Sequence, residues 1–121
     1  MKNHNFLQSF KNALAGLHYG LRHERNFRFH CLAVVAVIAL SLYLRISSME
    51  FVALCISIAF VLFSEMINTA IEKAYDLIGL EINPTTKAAK DCAAAGVLIA
   101  AINAVIVGVV IFGKYLIMVQ N

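Results

Sequence analysis

Residues Cys92 to Gly113 form a run of 22 without a charge (CAAAGVLIAAINAVIVGVVIFG). About 20 mostly apolar residues are enough for a helix to cross a bilayer, so this run alone is a membrane span. Two shorter charge-free runs precede it, Cys31 to Leu44 (CLAVVAVIALSLYL) and Phe51 to Ser64 (FVALCISIAFVLFS). They reach spanning length only if their helices continue past the apolar core, over about 28–47 and 49–80. The third helix is expected over 86–118. Composition agrees. Of the 121 residues 61% are hydrophobic and 14% charged, against roughly 45–50% and 25% in ordinary soluble domains. So few charges cannot cover a small globule, which buries the lesser fraction of its surface. Lipid is the natural solvent. No stretch reads as a cleaved signal peptide.

Orientation follows from Lys and Arg. Lys2, Lys11, Arg22, Arg25 and Arg28 precede or open the first span, and Lys73, Lys87 and Lys90 lie between the second and third. Only Arg45 and Lys114 fall on the other side. The positive-inside bias places the N-terminus in the cytoplasm and the C-terminus outside. Over about 5–26, Phe6, Phe10, Leu14, Leu17 and Leu21 recur every three or four residues. That periodicity suits an amphipathic helix lying in the membrane interface. The expected fold is thus all-α, one membrane-embedded domain over 1–121, with a surface helix followed by three transmembrane helices. Asn83-Pro84-Thr85 breaks the chain before the third span, and Thr85 or Thr86 is the expected cap. Net charge is +3, but no basic, aromatic-interleaved patch accompanies it, so nucleic acid is not an expected partner. The three cysteines lie in apolar stretches without a CxxC spacing, which indicates neither disulfides nor zinc.

The second span continues as SEMINTAIEKAYDLIG. On a helix, Glu65, Asn68, Glu72 and Asp76 share one stripe, while Lys73 points elsewhere. Acids at the end of a membrane helix are costly and usually functional. Carboxylates that close repel one another unless a cation sits among them. Two basic segments fall at the same level, Arg22 to Arg28 and Lys87 to Asp91. Acids for a divalent metal and bases for a polyphosphate are the parts of nucleotide-dependent phosphoryl transfer. No Walker A sequence is present. A small proton-coupled transporter is the competing class. It needs its glutamate near the bilayer midplane, whereas Glu65 follows a 14-residue apolar core, about 21 Å of helix. The separations of His4, His18, His23 and His30 give no helical face, and these histidines read as surface or headgroup residues. Asn103 reads as an interhelical hydrogen bond worth roughly 1 kcal/mol.

The string Glu65-Met66-Ile67-Asn68-Thr69-Ala70-Ile71-Glu72, with Asp76 and Lys90-Asp91 beyond it, resembles the small bacterial integral-membrane lipid kinases, the family of diacylglycerol kinase and undecaprenol kinase. Glu24-Arg25-Asn26-Phe27 and Gly16-Leu17 match as well. The resemblance implies a homotrimer in the bacterial inner (plasma) membrane, with active sites shared between subunits on the cytoplasmic side. It implies ATP as co-substrate and Mg²⁺ as metal. It makes Glu65 the general base, Glu24 and Glu72 the metal carboxylates, and Asn68 and Asp76 the polar residues that support the base and the metal. Lys90 and Asp91 are implied to contact the nucleotide, and Glu81, Ile82 and Asn83 to lie where the family loop passes it. Asn12 stands where the diacylglycerol kinases carry a tyrosine near the nucleotide, Ala94 replaces a serine, and His30 replaces a glutamate. The string from Glu24 to His30 looks more like the undecaprenol kinase branch. The expected acceptor is therefore undecaprenol, with diacylglycerol as the alternative.

Overall fold

The computed structural model describes residues 5–78 and 83–120, and the end of the second expected span, 79–80, lies outside them. Four helices follow one another: α1 (Phe6–His23), α2 (Arg25–Leu44), α3 (Ser48–Ile78) and α4 (Pro84–Gln120). Helices α2, α3 and α4 are long and apolar enough to cross a membrane, with mean hydropathies of 2.0, 2.1 and 2.7 in their most apolar stretches. Most of their large apolar side chains are exposed, among them Leu32, Val35, Ile99 and Val109. A hydrophobic surface on this scale needs lipid or other protein to cover it. This is the architecture of a membrane protein.

Each helix boundary has a local cause. Asn5 caps α1 by accepting a hydrogen bond from Gln8 N at 2.7 Å. The first break comes at Glu24, an extended residue (φ −112°, ψ 109°) that ends α1 and starts α2. Residues 25 and 26, expected at the end of the surface helix, belong to α2 instead. Arg28 stabilises this corner. Its Nη1 donates to the carbonyls of Leu21 (3.1 Å) and Arg22 (3.0 Å), which the ending helix leaves without partners. The next corner uses Arg45 in the left-handed region (φ 53°) as the cap of α2. Ser47 and Glu50 then form a reciprocal capping box for α3, Glu50 N donating to Ser47 Oγ and Ser47 N to Glu50 Oε1. The cap of α4 is Asn83, whose Oδ1 accepts from Thr86 N at 2.9 Å. Thr85 and Thr86 lie inside the helix, contrary to the sequence expectation. Pro84 decides this, because proline is favoured as the first helical residue and so leaves the cap to the residue before it.

Helix α3 is the spine. It packs most extensively on α4 and next on α2. Its buried residues, Leu54, Ser57, Val61, Glu65 and Thr69, repeat every three or four positions and form a single stripe. Asn103 of α4 donates to Ser57 Oγ at 3.2 Å, which is the interhelical bond the sequence suggested. Helix α1 reaches the spine at Gly20. A Cβ there would stand 2.5 Å from Met66 Cε and 3.2 Å from the Phe27 ring, so only glycine allows this approach without displacement. With 31 residues, α3 is about 46 Å long at 1.5 Å per residue, well beyond the roughly 30 Å of a hydrocarbon core. The surplus holds the outer part of the acidic stripe, Glu72 and Asp76.

Candidate active site

Along the stripe, polarity rises as burial falls. Glu65 is only 5% exposed, Asn68 and Glu72 are half-buried, and Asp76 is exposed. Asn68 Nδ2 donates to Glu72 Oε1 across one turn, at 3.4 Å. The helical repeat alone explains this pairing. The remaining contacts come from other helices.

From α2, His30 Nε2 lies 3.3 Å from Glu65 Oε1. His30 is thus not a headgroup histidine, as the sequence suggested, but the partner of the buried acid. From the α1–α2 corner, Glu24 Oε2 lies 3.7 Å from Lys73 Nζ, which also stands over the Tyr19 ring at 5.9 Å. Lys73 is off the stripe, yet it reaches the neighbouring segment. From α4, Lys90 Nζ sits over the ring of Tyr75 at 4.8 Å. Asp91 accepts from Lys87 Nζ at 2.7 Å. Helices α2 and α4 and the α1–α2 corner therefore bring polar and charged groups to one end of α3.

Other residues singled out by the sequence are placed elsewhere. Asn12 is exposed on α1 and accepts from Gln8 Nε2. It lies 12 residues before Glu24, about 18 Å along a helix. Asn83 is engaged as the α4 cap. Glu81 and Ile82 lie outside the described residues. His23 stacks on Tyr19 with ring centroids 4.3 Å apart. The cysteines are free. Among the described residues no three His, Cys, Asp or Glu side chains converge on a point where they could hold a metal. Mg²⁺ does not demand such a cluster, since one or two carboxylates plus substrate phosphates commonly hold it. Glu24 and Glu72 fit that need. Glu24 touches Lys73, the residue next to Glu72, so both acids are presented at one level.

The opposite end of the α3–α4 pair carries a second polar group of a different kind. Glu50 accepts from Lys114 Nζ at 2.7 Å and from Tyr115 Oη at 2.5 Å, besides Ser47 N at 2.9 Å. No sequence spacing announces this set, which joins positions 64 and 65 residues apart. The capping box within it was readable as Ser47-Ser48-Met49-Glu50.

Comparison with known proteins gives the family of the chain. The profile of the family described as prokaryotic diacylglycerol kinase matches residues 11–112. The chain belongs to this family. The match runs over both ends of α3 and includes every residue singled out as a site candidate, from Asn12 to Asp91. The chain is 43% identical over 105 residues to a diacylglycerol kinase of Synechocystis, covering 86% of this chain and 60% of that protein. It is 38% identical over 107 residues to the undecaprenol kinase of Bacillus subtilis, covering 88% and 87%. It is 36% identical over 91 residues to the diacylglycerol kinase of Escherichia coli, covering 75% of each. This member of the diacylglycerol kinase family thus has lipid kinases as relatives, and they are named for two different lipids.

Proposed function

We propose that this lipid kinase transfers the γ-phosphoryl group of ATP to the hydroxyl of undecaprenol. The observation that carries the reading is the acidic end of α3, where a buried carboxylate lies next to apolar helix and two more follow toward solvent. A lipid hydroxyl arrives from the membrane side and a nucleotide from water, and this stripe spans the two. Glu65 takes the proton of the hydroxyl. The freed oxygen attacks the γ-phosphorus, the bond from that phosphorus to the β–γ bridging oxygen breaks, and ADP leaves with the electron pair. Asn68 and Asp76 support the acids around Glu65. Lys90 exchanges the Tyr75 ring for the polyphosphate, with Asp91, Asn83, Glu81, Ile82 and Asn12 along the nucleotide. Glu24 and Glu72 would hold Mg²⁺, which when bound neutralises phosphate charge. Helix α1 lies in the interface with its apolar face down, the acidic end faces the cytoplasm of a bacterial inner membrane, and α4 ends outside. The working unit is a homotrimer in which neighbouring copies complete one another's sites.

Undecaprenol is favoured by the Glu24-Arg25-Asn26-Phe27-Arg28-Phe29-His30 string and by the Bacillus subtilis relative, which this chain matches over nearly its full length. Diacylglycerol is the second reading, favoured by the 43% identity to the Synechocystis protein. The test is purified protein in mixed micelles with labelled ATP, offered each lipid separately. A higher kcat/KM for undecaprenol is expected. A higher value for diacylglycerol in the same micelle overturns the substrate, and labelling of neither overturns the activity. A proton-coupled transporter would leave Lys90 and Asp91 without a role.

A further inference from the structure

Glu65 is the most buried carboxylate of the acidic end, with its side chain 6% exposed. A buried carboxylate in low-dielectric surroundings needs a hydrogen-bond donor or a cation, or its charged form is strongly disfavoured. The polar neighbour on its own helix, Asn68, directs its amide to Glu72. The group that meets Glu65 comes from α2. His30 Nε2 stands 3.3 Å from Oε1, and the imidazole is 24% exposed.

The chain fixes this imidazole in place. Phe27, one turn earlier on α2, is 2% exposed and packs against Gly20, which locks the start of α2 against α1. His30 is also the single ionisable residue lining a groove of about 120 Å³ whose other walls are Ala33, Val34, Val37, Ile58, Val61 and Ala104. It stands where an apolar groove gives way to the base.

We propose that His30 is a positioning residue for Glu65, donating from Nε2 to Oε1 so that this oxygen is held and the second oxygen is turned toward the lipid hydroxyl. The inference rests on Glu65 as the general base and adds the group that holds it. An acid free to rotate presents a proton-accepting lone pair only part of the time, and small misplacement near the chemistry costs catalysis steeply. A neutral imidazole serves as well as a cationic one, because only one N–H is required.

The test uses the full-length protein in undecaprenol micelles with three variants, His30→Leu, His30→Gln and Glu65→Gln, each measured for kcat and for the KM of ATP and of lipid. His30→Leu removes the donor while keeping an apolar packing group. Its kcat is expected to fall roughly ten- to a hundred-fold with the KM for ATP unchanged. His30→Gln places an amide N–H near the position of Nε2 and should recover most of that loss. The inference is overturned if His30→Leu turns over like wild type. It is overturned equally if its defect lies in KM, or if glutamine is no better than leucine. Should leucine prevent assembly, the glutamine variant still decides, since kcat close to wild type requires the donor to suffice. Glu65→Gln separates the two readings. If it remains active, Glu65 is not the base and that reading fails. If it is inactive while His30→Leu is normal, only the role of His30 fails.

Discussion

Glu50 in the first turn of α3 and Glu65 to Asp76 near its far end are the same chemical groups on one helix in very different company. Glu50 is tied to a lysine, a tyrosine and a backbone amide, at distances of 2.5 to 2.9 Å. Such charge-assisted bonds are short and strong, and they leave this carboxylate little capacity to take on anything else. At the other end Asp91 is held by Lys87 at 2.7 Å, but the contacts of Glu24, Glu65 and Glu72 are long. Glu65 has His30 at 3.3 Å, Glu72 has an amide at 3.4 Å, and Glu24 has Lys73 at 3.7 Å. Lys90, the cation next to Asp91, stands over an aromatic ring, a hold worth about 0.5–1 kcal/mol where exposed. One end has its charges matched within the chain. The other presents loosely held acids and a lysine whose hold is an aromatic ring. A structural acid and a functional acid differ in how much bonding capacity the fold has already used.

The comparison breaks most visibly at Glu65. Glutamine there keeps size and one hydrogen-bonding oxygen but cannot accept the proton. Turnover should fall by at least about 10²-fold, the low end of what a positioned base contributes. Nucleotide binding on the same purified variant should stay near wild type. Turnover within a few-fold of wild type would remove Glu65 as base and direct attention to Asp76 or Asp91.

Next in size are Glu24→Gln and Glu72→Gln. Each removes one charge from the pair assigned to Mg²⁺, so each should raise the Mg²⁺ concentration needed for half-maximal activity, by roughly 10–100-fold, with helix content unchanged. A magnesium titration that overlays the wild-type curve excludes that residue as a ligand. Lys90→Ala sharpens the same end from the cationic side. Its effect should appear in the KM for ATP and far less in the KM for lipid, because its proposed partner is phosphate. A defect confined to the lipid KM contradicts the assignment. Lys73→Ala should do less, since that ammonium is half exposed and its contact with Glu24 is long.

How far the sequence reveals this site depends on which contacts are local. The stripe from Glu65 to Asp76 is a matter of helical repeat, and the order of helices follows from apolar run lengths. The Asn68–Glu72 bond is likewise an i, i+4 consequence. Contacts across helices depend on register, and a single sequence does not state register. That is why His30 read as a headgroup histidine and Lys73 as a bystander. The corner at Glu24 lies a few residues before the expected one, and no proline or glycine marks it in the sequence. It is held by Arg28 reaching back to two carbonyls, a bond set by a side chain six or seven positions on. The α4 cap is Asn83 and not Thr85 or Thr86, because a helix-opening proline leaves the cap to the residue before it.

The smallest effects are expected at Glu50, and they test whether the two ends of α3 are independent. Glutamine at position 50 can still accept from Ser47 N, so the capping box survives while the ion pair with Lys114 is lost. Alanine removes both. Thermal unfolding in detergent should therefore rank wild type, Glu50→Gln, Glu50→Ala, in small steps, because an exposed ion pair contributes little and the apolar α3–α4 contact remains. Turnover and the KM values should match wild type in both variants, since the acidic stripe lies on the far part of the helix and shares no contact with this group. Equal destabilisation by glutamine and alanine would mean that the ion pair, not the capping box, carries the stabilisation. A fall in kcat comparable to that of Glu65→Gln would mean that α3 transmits changes along its whole length, and that the matched end helps set the geometry of the other.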